Sequence, residues 1–146
     1  MPLADSNDWL ALALSKHVHH AAARAWPSRQ ASPEPEMFCR STQQSFLRLL
    51  TTSAVFSPYG IPPLTNKAAW AVYERFRADK RMSWVEEPRG LETLWKKLAG
   101  GSRPSPKLWM DAYVAAFAMA GEYQLVTTDT AFKQFKGLDL VVLSKA

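Results

Sequence analysis

Residues 107–132 read KLWMDAYVAAFAMAGEYQLVTTDTAF, and the order of signals inside them decides the class of fold. From Leu108 to Ala120 the chain is apolar nearly all round except at Asp111, a pattern that predicts a helix buried on most of its faces. Ser105 stands as a candidate N-cap, with Pro106 in the first helical position. After Gly121, YQLVT predicts a strand, Asp129 follows it directly, and TAFKQF predicts a short helix. Helices alternating with strands are the repeating pattern of an α/β sandwich on a mainly parallel sheet.

Working outward, the same unit recurs. PLAD at the N-terminus is a short apolar strand ending in Asp5, followed by the helical segment SNDWLALALS. A second helix is expected over His17–Trp26, and Pro27 with SRQASPEPE makes a loop. MFCR reads as a strand, and Thr42 as the N-cap of a helix running to about Leu50. FSPYGIPPLT is an extended connector whose Thr65 caps NKAAWAVYERFRA, with Trp70, Val72, Tyr73 and Phe76 on its buried side. RMSWVEE, the helix GLETLWKKLAG and the strand LDLVVLS complete about five strands with helices between them. A chain of 146 residues with no internal repeat fits one domain spanning 1–146.

Composition narrows the setting. Hydrophobic residues make up 47%, but charges and prolines interrupt every run before it reaches membrane-spanning length. The single cysteine, Cys39, cannot form an intramolecular disulfide and reads as a small buried hydrophobe beside Phe38. No secretory leader pattern precedes Asp5, so a soluble, cytoplasmic protein is expected. Lysine and arginine outnumber aspartate and glutamate by 18 to 13, which favours polyanionic partners without identifying one. The cations cluster at Arg75, Arg77, Lys80 and Arg81, at Lys96, Lys97, Arg103 and Lys107, and at Lys133 and Lys136. Each cluster alone reads equally as a solvated face.

Asp5 and Asp129 each follow a strand, and in open α/β sheets sites form beyond the carboxyl ends of strands, where strand order reverses. Both also precede short helices, so ordinary capping explains either one. Asp111 should be largely buried in its apolar helix, where a carboxylate needs a partner, and Lys107 four residues earlier is the nearby local cation. A structural salt bridge and a convergence with Asp5 and Asp129 both remain open. Three converging carboxylates require a cation or shared protons. Hard oxygen donors without a cysteine or histidine pattern point to Mg²⁺ or Mn²⁺, and a basic protein with such a centre suits a phosphodiester substrate and a water made nucleophilic by the metal. The triplet His17, His19 and His20 lacks acidic companions and reads as surface. The stretch STQQSFLRLL at 41–50 carries an apolar stripe at Phe46, Leu47 and Leu50 that, one turn back, sends Gln43 inward rather than Gln44.

The segments LADSNDWLALAL, STQQSFLRLLT, AVYERFRADKRMSWVEEP and LWMDAYVAAFAMAGEYQLVTTDTAF, in this order, resemble the PIN domain, specifically the VapC ribonuclease toxins of type II toxin-antitoxin systems. The resemblance implies a three-layer α/β/α fold, an RNA-cleaving centre using Mg²⁺ or Mn²⁺, a cognate VapB-type antitoxin and a homodimer. It places acids of the centre at Asp5, Asp111 and Asp129, with Ser6, Asn7 and Thr127 as supporting groups. The remaining acidic position, usually glutamate, falls on Gln43, which can position water through its carbonyl but brings no charge and no general base. Asp8 replaces a usually apolar residue at the first turn of its helix, where a carboxylate suits the helix dipole; the alternative role is compensation for the missing glutamate. Arg48 is a candidate phosphate contact. Trp9, Tyr59 and Trp84 are candidate base-stacking rings, though each reads first as core, and the helices around AAWAVYERF and LETLWKKL are candidate dimer contacts. The alternative is a PIN-like module, weakened at Gln43, that binds RNA or protein without cutting. A small-molecule phosphatase would need an Asp-x-Asp nucleophile pair that the chain lacks.

Overall fold

The computed structural model describes residues 1–26 and 35–144; most of the loop expected after Pro27 lies outside them. Five strands form one parallel sheet in the order β3-β2-β1-β4-β5, with β1 at Pro2–Ala4, β2 at Glu36–Phe38, β3 at Met82–Trp84, β4 at Gln124–Thr127 and β5 at Leu140–Val142. The described helices are α1 (Ser6–Ala13), α2 (His20–Ala25), α3 (Arg40–Leu50), α4 (Ser53–Phe56), α5 (Asn66–Ala78), α6 (Leu91–Ala99) and α7 (Leu108–Ala120). Short 3₁₀ turns occupy Ser57–Tyr59 and Thr130–Gln134.

Strand alternation sorts the layers. Leu3, Met37 and Leu125 point to one face, where they pack with Ala115, Phe117 and Leu91 of α7 and α6. Ala4 and Phe38 point to the other face and meet Trp9, Phe46 and Tyr73 of α1, α3 and α5. Val126 shares that parity and packs with Ala11 and Ala23. The result is the expected α/β/α sandwich. Right-handed crossovers account for it, because β1 to β3 progress in one direction and the connection back to β4 reverses, which moves α6 and α7 to the opposite face.

Several element boundaries differ from the sequence reading. The N-cap of α3 is Cys39 and not Thr42, which sits three residues in and closes a capping box by accepting the Cys39 N–H at 3.0 Å. Helix α7 begins at Leu108 with Lys107 as cap, because Ser105 and Pro106 form a preceding turn in which Leu108 N–H bonds the Ser105 carbonyl at 3.0 Å. Helix α2 starts at His20, three residues after the expected His17. Thr65 does cap α5, accepting the Ala68 N–H at 3.1 Å. Val72, Tyr73 and Phe76 pack on the buried side of α5 as expected, joined by Ala69, whereas Trp70, expected with them, is 48% exposed. Among the described residues no helix is long and apolar enough to cross a membrane.

Candidate active site

The sheet order puts its reversal between β1 and β4, the two strands that end at Ala4 and Thr127. Asp5 leaves β1 at this edge, its N–H bonded to the Val126 carbonyl at 2.8 Å. Asp5 caps a helix and also bonds across the strands. One carboxylate oxygen caps α1 by accepting the Ser6 N–H at 2.8 Å, and the other accepts the Thr127 hydroxyl at 2.8 Å across the strands. Thr127 in turn accepts the Asp129 N–H at 3.0 Å, and Asp129 caps the following 3₁₀ turn through the Ala131 N–H at 2.9 Å. One hydroxyl thus ties the ends of both switch-point strands together.

Asp5 is 6% exposed, and burial pushes its carboxyl up to about 6. The Thr127 and Ser6 hydrogen bonds oppose that rise, whereas the charges of Asp111 and Asp129 add to it. Burial and the Asp129 charge also raise Asp111. The three aspartates therefore sense one another across the end of the sheet. Asp111 is half-buried rather than largely buried, since its neighbours Trp109 and Met110 stand 54% and 57% exposed at the start of α7. Among the described residues no ion pair joins it to Lys107.

Asp5 and Asp111 open onto a cleft of about 510 Å³ that Ser6, Asn7 and Arg48 also line. Thr127 lies beneath it, fully buried. Ser41, Gln44, Ser45 and Arg48 form the cleft wall on α3, at spacing i, i+3, i+4 and i+7. That polar stripe is legible in the sequence as an i, i+3, i+4, i+7 pattern beside the apolar one. Gln43 does face inward, at 6% exposure, but with Phe46 and Leu50 on the opposite stripe. Its carbonyl oxygen accepts the Arg40 guanidinium at 2.6 Å, and it is not among the described residues that line the cleft. Arg40 and Arg77 both lie over the Trp84 ring, 4.7 and 5.4 Å from its centroid.

Other candidates fall away from the centre. Asp8 is fully buried in the first turn of α1 and outside the described lining of the cleft. Trp9 is fully buried and stacks on Phe38 at 4.0 Å, so it offers no face to a base. His20 bonds the Ala11 carbonyl at 2.7 Å, and His17 accepts the His19 N–H at 3.1 Å. Among the described residues no three carboxylate, imidazole or thiol side chains stand close enough to share one metal ion. The donor set nevertheless suits a hard divalent cation in kind, because the three groups are all carboxylates and no cysteine or histidine is among the described residues that line the cleft. A cation there would offset the repulsion that raises Asp5 and Asp111.

Comparison with known proteins agrees with this architecture. The PIN domain family matches residues 3–138. Ribonuclease VapC41 of Mycobacterium tuberculosis is 55% identical over 146 residues, covering 99% of this chain and 100% of that protein. Ribonuclease VapC44 of the same organism is 31% identical over 128 residues, covering 87% and 84%. Among solved structures, M. tuberculosis VapC20, described as a sarcin-ricin loop cleaving toxin, superposes with a TM-score of 0.64 at 19% identity, covering 95% of this chain and 98% of that one. VapBC2 from Rickettsia felis, bound to a DNA fragment from its promoter, gives 0.62 at 11%, covering 98% of each chain.

Proposed function

The chain belongs to the PIN-domain family as a VapC-type ribonuclease, and we propose that it is the endoribonuclease toxin of a toxin-antitoxin pair, with its hydrolytic centre in the cleft shared by Asp5 and Asp111. One observation supports this reading: at the switch point of the sheet Thr127 bonds both the Asp5 carboxylate and the Asp129 N–H, and Asp5 shares its cleft with Asp111. Asp5, Asp111 and Asp129 would hold Mg²⁺ or Mn²⁺ partly through bound water, since among the described residues no three such side chains stand close enough to ligate one ion directly. When bound, such an ion supplies Lewis-acid neutralisation of charge on the phosphoryl oxygens and lowers the pKa of a water. Thr127 fixes the Asp5 carboxylate, Ser6 and Asn7 bound the floor of the cleft, and Arg48 faces a phosphate from the α3 wall. Gln43 acts at one remove by holding Arg40, and the amide that reaches the cleft is that of Gln44.

A cognate VapB-type antitoxin and a second copy of the chain are the protein partners that this membership suggests. The reading is tested on purified, antitoxin-free protein incubated with structured RNAs and Mn²⁺. Cleavage that EDTA stops, and that Asp5→Ala and Asp111→Ala abolish, is the expected result. Intact RNA with retained binding would instead support the non-cleaving module, the reading favoured by the uncharged Gln43.

A further inference from the structure

Trp109 and Met110 are large apolar side chains left in solvent, at 54% and 57% exposure, immediately before Asp111. Met110 lines the acidic cleft, and Trp109 lines a neighbouring groove of about 390 Å³ with Arg103, Ser105 and the Gly100–Gly101 backbone. Consecutive residues at the start of α7 thus line the two hollows. The Trp109 backbone is anchored, because the Trp95 indole N–H donates to its carbonyl at 2.9 Å and the two rings pack edge to face, 6.1 Å apart. An indole held this way can stack on a partner without a large loss of side-chain freedom.

Charge selects the partner. Residues 93–110 contain Lys96, Lys97, Arg103 and Lys107 and no carboxylate, and all four cations are exposed. Two copies of the chain meeting here across a twofold axis would bring two such sets together, which repel. Phosphates complement them. A base can stack on an exposed ring only if it is unpaired.

We infer that single-stranded RNA flanking the scissile bond leaves the acidic cleft over Met110, stacks a base on Trp109 and lays its phosphates along Arg103 and Lys107. This rests on the endoribonuclease reading and assigns Trp109 a positioning role toward its substrate. The test measures steady-state cleavage of a single-stranded RNA in Mn²⁺ by the full chain and by Trp109→Ala, Trp109→Phe and the pair Arg103→Ala with Lys107→Ala.

The expected result is that Trp109→Ala raises KM about tenfold with kcat little changed, while Trp109→Phe keeps most of the affinity. The paired cation variant should flatten the dependence of log affinity on log salt by about 1.4, the value for two lost contacts to a single strand. An unchanged KM in Trp109→Ala, with the parent still cleaving, overturns the track and leaves the nuclease reading standing. So does a Trp109→Ala variant that cleaves normally but turns a dimer into a monomer, or that loses only a protein partner. A parent chain that neither binds nor cuts RNA defeats the nuclease reading, and the track with it.

Discussion

Asp5 illustrates how one residue serves both fold and site. Its carboxyl is raised from 3.8 to about 6, so the folded chain binds this proton more tightly than the unfolded chain does. Stability without metal therefore falls as pH rises from 3.8 to about 6 and stays reduced above that range. The shift corresponds to at most about 3 kcal/mol. Asp5→Asn, measured by thermal unfolding in EDTA, is expected to melt several degrees above the parent at pH 7.5, with the gap shrinking from pH 6 toward 4. A variant that melts lower at both pH values would mean that the lost acceptor at Ser6 and Thr127 outweighs the buried charge. Gln43 presents the opposite economy, an uncharged side chain already engaged by Arg40 at 2.6 Å. A carboxylate placed there by Gln43→Glu faces that guanidinium first. Gln43→Glu alone should change Mn²⁺ affinity little, whereas Gln43→Glu combined with Arg40→Met should raise it about tenfold in a titration, the scale of effects one shell away from a ligand. Equal affinities for the two variants would show that Arg40 does not shield the position.

At the scale of elements, caps are where local chemistry has a cost that can be measured. Thr65 supplies the one side-chain cap of α5, so Thr65→Ala should lower stability by about 1 kcal/mol, seen as a melting shift of roughly 2 to 4 °C, and leave cleavage intact. The elements themselves were readable because their patterns are local: the apolar run 108–120, the alternation of short strands with helices, and the Thr65 cap. The start of α7 was misplaced because serine followed by proline also makes a turn, and the turn consumed the Ser105 carbonyl before the helix began. The inward direction of Gln43 followed from helical spacing, but spacing tells only which stripe a residue occupies. Whether a stripe meets core or cleft depends on the helix neighbours, and α3 has both, with Phe46 on one side and the aspartates on the other. Trp70 and Trp109 were harder still, since an apolar side chain at a helix edge or first turn has no pattern that forces burial.

The whole molecule sets the relation between the acids. Strand order is a product of long-range pairing, and no local pattern in the sequence states that β1 lies beside β4; that adjacency comes from the structure, in the pairing of Leu3 with Leu125. Folding the sheet in this order brings Asp5, Asp111 and Asp129 to one edge, where their charges repel and burial removes the water that would screen them. The fold is thus electrostatically unfavourable where the proposed chemistry takes place, and a divalent cation that binds only the folded chain must stabilise the whole domain by mass action. At a free metal concentration about 100 times its dissociation constant the gain is about 2.7 kcal/mol, or roughly 5 to 10 °C in melting temperature for a chain of this size. Mn²⁺ should therefore raise the melting temperature of the parent and not that of Asp5→Asn. The shift in the parent should fade as pH falls below about 6, where a proton occupies Asp5 and competes with the ion. An equal Mn²⁺ shift in Asp5→Asn would place the ion elsewhere on the molecule.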